Sequence, residues 1–311
     1  MSDYSGKIAI TTGDVNGIGT EITIKALNKL KIPVNKVVLI SNRKVIDFYG
    51  KLNFDYEVIE IPYDGKIEAG KINVQSGEFS FQSLKKACEI KPAAIVTAPV
   101  AKKALHLAGY IFNGQTEVLE HFLAHDMQHA EMLFAAENFR VLLLTRHCAL
   151  KEVNLTKEIV IKKITDLNRF FIEKLKIASP VFALCGFNPH AGEYGILGNE
   201  EKEILIPAVK ELRRQNIDIT FPLPADTLFV KAAQEYFNKL NDCKTSYDCY
   251  IANYHDQGLI PIKTVAGAKT VNMTIGLDII RTSPGHGTAF DIAGKNIADE
   301  TGMISAIKTV I

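Results

Sequence analysis

The chain has 311 residues, 47% of them hydrophobic and 23% charged, and a formal net charge of +1. That length suits two domains of ordinary globular composition. A charge this close to zero excludes a long-range field for DNA, RNA or an anionic membrane and leaves room only for a local anion pocket. In chain order, KIAITTGD (7–14) reads as a strand ending in a turn, and TEITIKALNKL (20–30) as the helix after it. KVVLISN (36–42) and AAIVTAPV (93–100) are further strands, and TEVLEHFLAHDMQHA (116–130) has helical period. EMLFAAENFRVLLLTRH (131–147) reads as a hairpin around Glu137-Asn138. A long amphipathic helix follows at 157–176, then strands in PVFALCGFNPHAGE (180–193) and YDCYIANYHDQG (247–258), each running into a polar turn. AFDIAGKNIAD (289–299) is expected to open a helix. Apolar β-rich runs alternating with helical segments define an α/β protein with a largely parallel sheet. No basic stretch followed by an apolar one opens the chain and no run of about 18 apolar residues occurs, so a cytoplasmic protein, neither secreted nor membrane-spanning, is expected.

Strand ends are where open α/β sheets bind ligands. Three histidines share that local context: His147 ends LLLTRH, His190 follows ALCGFNP and His255 follows CYIANY. Taken singly, each suits a structural hydrogen-bonding role. As a set on neighbouring strands they suit a divalent transition ion, because three imidazoles leave a coordination position open for substrate. Asp226 and Asp256 are candidate carboxylate ligands or partners that orient an imidazole. His121, His125 and His129 fall on the helical pattern at 116–130. His121 and His125 stand four apart, but HFLAH lacks the Glu of HExxH, so a solvated helix face is the better reading. The cysteines are Cys88, Cys148, Cys185, Cys243 and Cys249, an odd number without a CxxC pair. They lie in or beside apolar runs and read as buried or half-buried thiols in a reducing compartment.

Gly13, Gly17 and Gly19 in TTGDVNGIGTE lie between a strand and a helix, where backbone N–H groups can face an anion. The spacing matches neither GxGxxG nor a Walker A loop. Arg281 suits a carboxylate or phosphate through bidentate charged hydrogen bonds. Gly285-His286-Gly287-Thr288 is a polar loop against which a phosphate or ribose can pack, and Lys263 and Asn272 lie between His255 and Arg281.

Taken together, NPHAGEYGILGNEE (188–201), YHDQGLIPIK (254–263) and RTSPGHGTAFDIAGK (281–295), with TTGDVNGIGTE, VTAPVAKKAL, RHCALKEV and LPADTLF, resemble the 4-hydroxythreonine-4-phosphate dehydrogenase family. The matching stretches run in order from near residue 10 to near residue 300. HGTAFDIAGK is also similar to the cofactor loop of isocitrate and isopropylmalate dehydrogenases. The resemblance implies a two-domain fold of that kind with an active-site cleft between domains. One domain is expected over 1–125 and 275–311, and a second, carrying the metal ligands and the dimer interface, over 126–274. It implies a homodimer with shared active sites, in which His147 and His190 of one chain and His255 of the other bind a divalent metal (Zn, Mg or Co). It also implies that Gln115, Thr116, Lys263, Asn272 and Arg281 contact substrate, that Lys263 and Asp226 serve catalysis, and that His286, Gly287, Thr288 and Asp291 hold NAD. NAD is favoured over NADP because no Arg/Lys cluster near that loop awaits a 2′-phosphate.

The reaction implied is NAD-dependent oxidation and decarboxylation of 4-phosphooxy-L-threonine to 3-amino-2-oxopropyl phosphate, a step towards pyridoxal phosphate. Three departures bear on the substrate: the family's usual GHTE reads GQTE at Gln115, GDPAGIGPE reads GDVNGIGTE, and Phe221 replaces the first Gly of GPLPADT. Gln donates a neutral hydrogen bond but carries no charge and shuttles no proton. A dehydrogenase of 4-phospho-threonate or 4-phospho-erythronate is therefore the near rival. A phosphate acyltransferase of similar fold and a silent ligand-binding protein are more distant ones, against which the three histidines, Lys263 and Arg281 argue.

Overall fold

The structure, a computed structural model, describes residues 3–125, 128–238 and 246–311. The chain divides into two compact units, Met1–Ala130 with Ala268–Ile311, and Glu131–Gly267. The first stretch carries strands β1 (Ile8–Thr11), β2 (Val37–Ser41), β3 (Glu57–Glu60) and β4 (Ala94–Thr97). Its helices are α1 (Gly19–Leu30), α2 (Arg43–Tyr49), α3 (Val74–Glu89), α4 (Lys102–Leu107) and α5 (Gln115–Leu123). The second unit holds β5 (Glu131–Ala136), β6 (Phe139–Leu143), α6 (Lys157–Glu173), β7 (Val181–Leu184), α7 (Ile206–Arg214), β8 (Asp218–Ile219), α8 (Ala225–Phe237), β9 (Cys249–Ala252) and α9 (His255–Ala266). The chain then returns to the first unit through β10 (Val271–Ile275), β11 (Ile280–Pro284) and α10 (Thr301–Lys308).

In the first unit the strand order is β3-β2-β1-β4-β11-β10, parallel except for β10, which runs antiparallel to β11. Every residue of β1, β2 and β4 is buried. That explains why these strands read as unbroken apolar runs rather than alternating ones: helices cover both faces of a parallel sheet. Asn42 and Asn73 start α2 and α3 by accepting from the backbone N–H groups of Lys44 and Ser76. Ala9, Val38, Ile40, Phe79 and Ile95 form the centre of this unit's core.

In the second unit the order is β5-β6-β9-β7-β8. Only the β5–β6 hairpin is antiparallel. Its turn falls at Glu137-Asn138, with Glu137 at φ 56°. Thr156 caps α6 through the Ile159 N–H. Phe139, Val141, Ala183, Tyr250 and Ile262 lie in this unit's core.

Two expected helices take another form. α5 stops at Leu123, its last buried residue, so His125 and His129 lie beyond it and the i, i+4 histidine pair does not form. From outside the helix, His125 faces Asp278 at 3.9 Å and His129 bonds Glu120 of α5 at 3.0 Å. The stretch 289–299 is a series of turns, because Ala289, Gly294 and Asn296 adopt positive φ, which a right-handed helix forbids; helix resumes at Thr301. Among the cysteines, Cys88, Cys185 and Cys249 are buried as expected. Cys148 is exposed, since it follows the last buried residue of the β6 run, Leu144, by four positions. Cys243 lies outside the described residues.

Candidate active site

The polar end of the first unit's sheet is built around Arg281. It lies on β11 opposite Thr274 of β10, with β4 on its other side. The guanidinium is 2% exposed, and burial pulls its pKa down to about 9. Its partners are hydroxyls: Nε donates to Thr97 Oγ1 at 2.8 Å and an Nη to Thr274 Oγ1 at 3.3 Å. Among the described residues it has no carboxylate partner, and a desolvated cation held by neutral acceptors is prepared for an anion. Two nearby polar residues each bury an amide oxygen without a partner. Gln115 donates its Nε2 to the carbonyl of Ala98, next to Thr97, while its Oε1 is buried without a partner. Asn272, on β10 two residues from Thr274, also buries an unpartnered Oδ1. Both amide oxygens await a donor. Thr116 follows Gln115 in the first turn of α5 and is partly exposed.

The β1–α1 turn closes the same end. Gly13 has φ 74°, and a Cβ there would sit 2.3 Å from the Pro99 carbonyl oxygen, so only glycine fits. Asp14 is fully buried and accepts from Asn16 N–H at 3.0 Å and Ser76 Oγ at 3.3 Å. Burial pushes its carboxyl up to about 6 despite these bonds. The turn docks on the 285–291 loop: Ile18 N–H donates to the Thr288 carbonyl at 3.0 Å, and a Cβ on Gly17 would meet Thr288 at 3.1 Å. In that loop His286, Gly287 and Asp291 are exposed and Thr288 partly so.

In the second unit the three histidines sit beyond the C-terminal ends of β6, β7 and β9. Asn253 and Gln257 knit those ends together. Asn253 donates to the Cys185 carbonyl at 2.9 Å, and its own carbonyl receives the Thr145 hydroxyl at 2.7 Å. Gln257 accepts from Asn253 N–H at 2.8 Å and donates to the Gly186 carbonyl at 2.7 Å. The His147 and His255 rings lie 5.8 Å apart, centre to centre. Both line a cavity of about 250 Å³ with Thr145, Arg146, Cys148 and Asp256. His255 opens helix α9 rather than sitting in a loop, and its Nδ1 meets Asp256 Oδ1 at 2.6 Å. A carboxylate at that distance can accept the Nδ1–H proton and leave the Nε2 lone pair free for another partner.

His190 occupies an unusual turn. From His190 to Tyr194 every φ is positive, a left-handed conformation that costs roughly 1–2 kcal/mol per non-glycine residue. His190 is exposed. Among the described residues, no group of three or more His, Cys, Asp and Glu side chains within one chain is placed to hold a metal. The chain thus brings His147 and His255 together and carries His190 on its own turn. Asp226, in the first turn of α8, and Lys263, near the end of α9, are both exposed. Reading the sequence passed over Asn253, Gln257, Asn188, Glu200 and Glu201. Their signal was present, since Asn188, Glu200, Glu201 and Gln257 are polar residues inside the longest motifs and Asn253 directly precedes one.

At the level of fold alone, the chain is similar to a β-decarboxylating dehydrogenase from Thermococcus kodakarensis, with a TM-score of 0.52, 16% identity, and coverage of 97% of this chain and 82% of that one. Fold and relatives together define an α/β oxidoreductase. The model of the family described as pyridoxal phosphate biosynthetic protein PdxA matches residues 10–310, and the chain belongs to that family. The 4-hydroxythreonine-4-phosphate dehydrogenase of Sulfurihydrogenibium sp. is 38% identical, over 98% of this chain and 97% of that protein. The D-threonate 4-phosphate dehydrogenase of Cupriavidus necator is 34% identical, over 99% and 97%. A crystal structure of the Klebsiella pneumoniae 4-hydroxythreonine-4-phosphate dehydrogenase superposes with a TM-score of 0.84 at 32% identity, covering 100% of this chain and 98% of that one.

Proposed function

We propose that this chain is an NAD-dependent dehydrogenase that oxidises and decarboxylates 4-phosphooxy-L-threonine to 3-amino-2-oxopropyl phosphate. It acts as a cytoplasmic homodimer, in which His147 and His190 of one subunit and the partner subunit's His255 hold a divalent ion. The observation that carries this reading is the placement of all three histidines beyond the C-terminal ends of β6, β7 and β9, with Asp256 against the ring of His255. Imidazole donors fit Zn²⁺ and Co²⁺ best and Mg²⁺ least.

A divalent ion held by these imidazoles would supply a Lewis acid to the substrate hydroxyl. The protein's own groups do the rest. Arg281 receives an anionic end of the substrate, exchanging burial without a counter-charge for a charged pair. The unpartnered oxygens of Gln115 and Asn272 accept from substrate N–H or O–H groups, and Thr116 adds a hydroxyl contact. Lys263 would neutralise negative charge as the carbon–carboxylate bond breaks, Asp226 would serve beside the ion, and the 286–291 loop would hold NAD, the hydride acceptor of the oxidation.

A second reading, oxidation of 4-phospho-D-threonate or 4-phospho-erythronate, is favoured by Gln115 and by the similarity to a D-threonate 4-phosphate dehydrogenase. NADH formation by the purified protein against all three acids, with and without Zn²⁺, Co²⁺ or Mg²⁺, tests both. The highest kcat/KM is expected for 4-phosphooxy-L-threonine with a divalent ion. A higher value for 4-phospho-D-threonate or 4-phospho-erythronate selects the second reading, and no NADH from any of the three overturns both.

A further inference from the structure

The turn that carries His190 runs through φ values of 53°, 53°, 78°, 43° and 59° from His190 to Tyr194. Only one of these five residues, Gly192, is a glycine. A connecting loop would relax out of such a conformation unless its surroundings over-determined it. The turn does not fill a core, since His190, Glu193 and Tyr194 are all exposed.

What holds it is a clamp across the stem of the 188–201 loop. Glu201 is 4% exposed. Its Oε1 accepts from Asn188 N–H at 2.7 Å and its Oε2 from Asn188 Nδ2 at 3.0 Å. The same Nδ2 donates to Glu200 Oε2 at 2.6 Å. Two glycines make room for the clamp. A Cβ on Gly192 would lie 2.5 Å from Glu201 Oε2, and one on Gly198 would lie 2.5 Å from Asn188 Nδ2. The motif NPHAGEYGILGNEE therefore reads as one device: two carboxylates, one amide and glycines at the close approaches, closed around His190.

We propose that Glu201, acting through Asn188, is a positioning residue for His190, holding the turn in the left-handed form that presents the imidazole to the metal. This rests on the reading that His190 is a metal ligand, so the test separates the two. Co²⁺ and Zn²⁺ are titrated by calorimetry into metal-free wild type, His190→Ala, Glu201→Gln and Glu200→Gln. Visible absorption of the Co²⁺ forms reports ligand geometry, and urea unfolding of the metal-free proteins checks the fold. Glu201→Gln keeps its shape but loses the charge that grips two N–H groups. It is expected to weaken Co²⁺ binding roughly 10- to 100-fold, the usual effect of losing a partner behind a ligand, and to shift the Co²⁺ absorption bands. Glu200→Gln, at the more open end of the clamp, is expected to show a smaller loss of the same sign, and it carries the test should Glu201→Gln not fold. Loss of affinity in His190→Ala with neither Glu variant weakened overturns the positioning role alone. Unchanged affinity in His190→Ala overturns the ligand reading itself and this inference with it.

Discussion

Arg281→Met should make the ligand-free protein more stable while removing its ability to be stabilised by substrate. Burial lowers the guanidinium's pKa from 12.5 to about 9, which corresponds to roughly 4–5 kcal/mol against the folded cation. The sign follows from linkage: between about 9 and 12.5 the unfolded chain binds the proton that the folded chain has lost, so at neutral pH the whole cost is present. The hydroxyls of Thr97 and Thr274 return part of it, on the order of 2–3 kcal/mol for one good and one long hydrogen bond to a charge. A methionine of similar reach buries apolar atoms in the same space. The net gain expected is on the order of 1–3 kcal/mol, as for other buried charges replaced by apolar groups. Urea unfolding followed by circular dichroism at neutral pH measures it. With substrate at about 100 times its Kd, wild type should gain roughly 2.7 kcal/mol and the variant almost nothing. An Arg281→Met protein less stable than wild type without ligand, or equally stabilised by substrate, would refute the reasoning.

Two further outcomes follow from the same end of the first unit. Asp14 titrates at about 6 in the folded chain against 3.8 unfolded, so the native state holds an extra proton between these values and stability falls as pH rises through that window. Asp14→Asn should remove that fall, shifting the stability difference in the variant's favour by up to roughly 3 kcal/mol between pH 4 and 6; parallel pH profiles would contradict it. Gln115→Leu deletes a buried acceptor that the chain leaves unpartnered. It should raise KM about fivefold, for roughly 1 kcal/mol of lost hydrogen bonding, with kcat little changed; an unaltered KM would show that the oxygen meets no substrate donor.

The sequence was most legible where burial is complete. β1, β2, β4 and β9 are buried at every position, and such strands need no period to stand out. The β5–β6 hairpin was legible from Glu137-Asn138 between two apolar runs. β3, with no buried residue, and the two-residue β8 carried too little apolar signal to be seen. The helix expected at 289–299 failed because positive φ at Ala289 and Asn296 is set by the loop's packing on the β1–α1 turn, a contact between residues some 270 positions apart. At the candidate site, residue type named the histidines and Arg281. It did not disclose that Arg281 has no counter-charge among the described residues, the left-handed turn under His190, or Asn253 and Gln257 tying three strand ends together. Those features depend on which backbone atoms meet, and no periodicity records that.

The central claim is that one ion is held by histidines from two copies of the chain. Mixing His190→Ala with His255→Ala protein, after unfolding and refolding together, tests it most directly. Each variant alone should be inactive. Shared sites leave one intact site in every mixed dimer, so the account predicts recovery to about a quarter of the wild-type rate. A refolded mixture as inactive as its two components would contradict it.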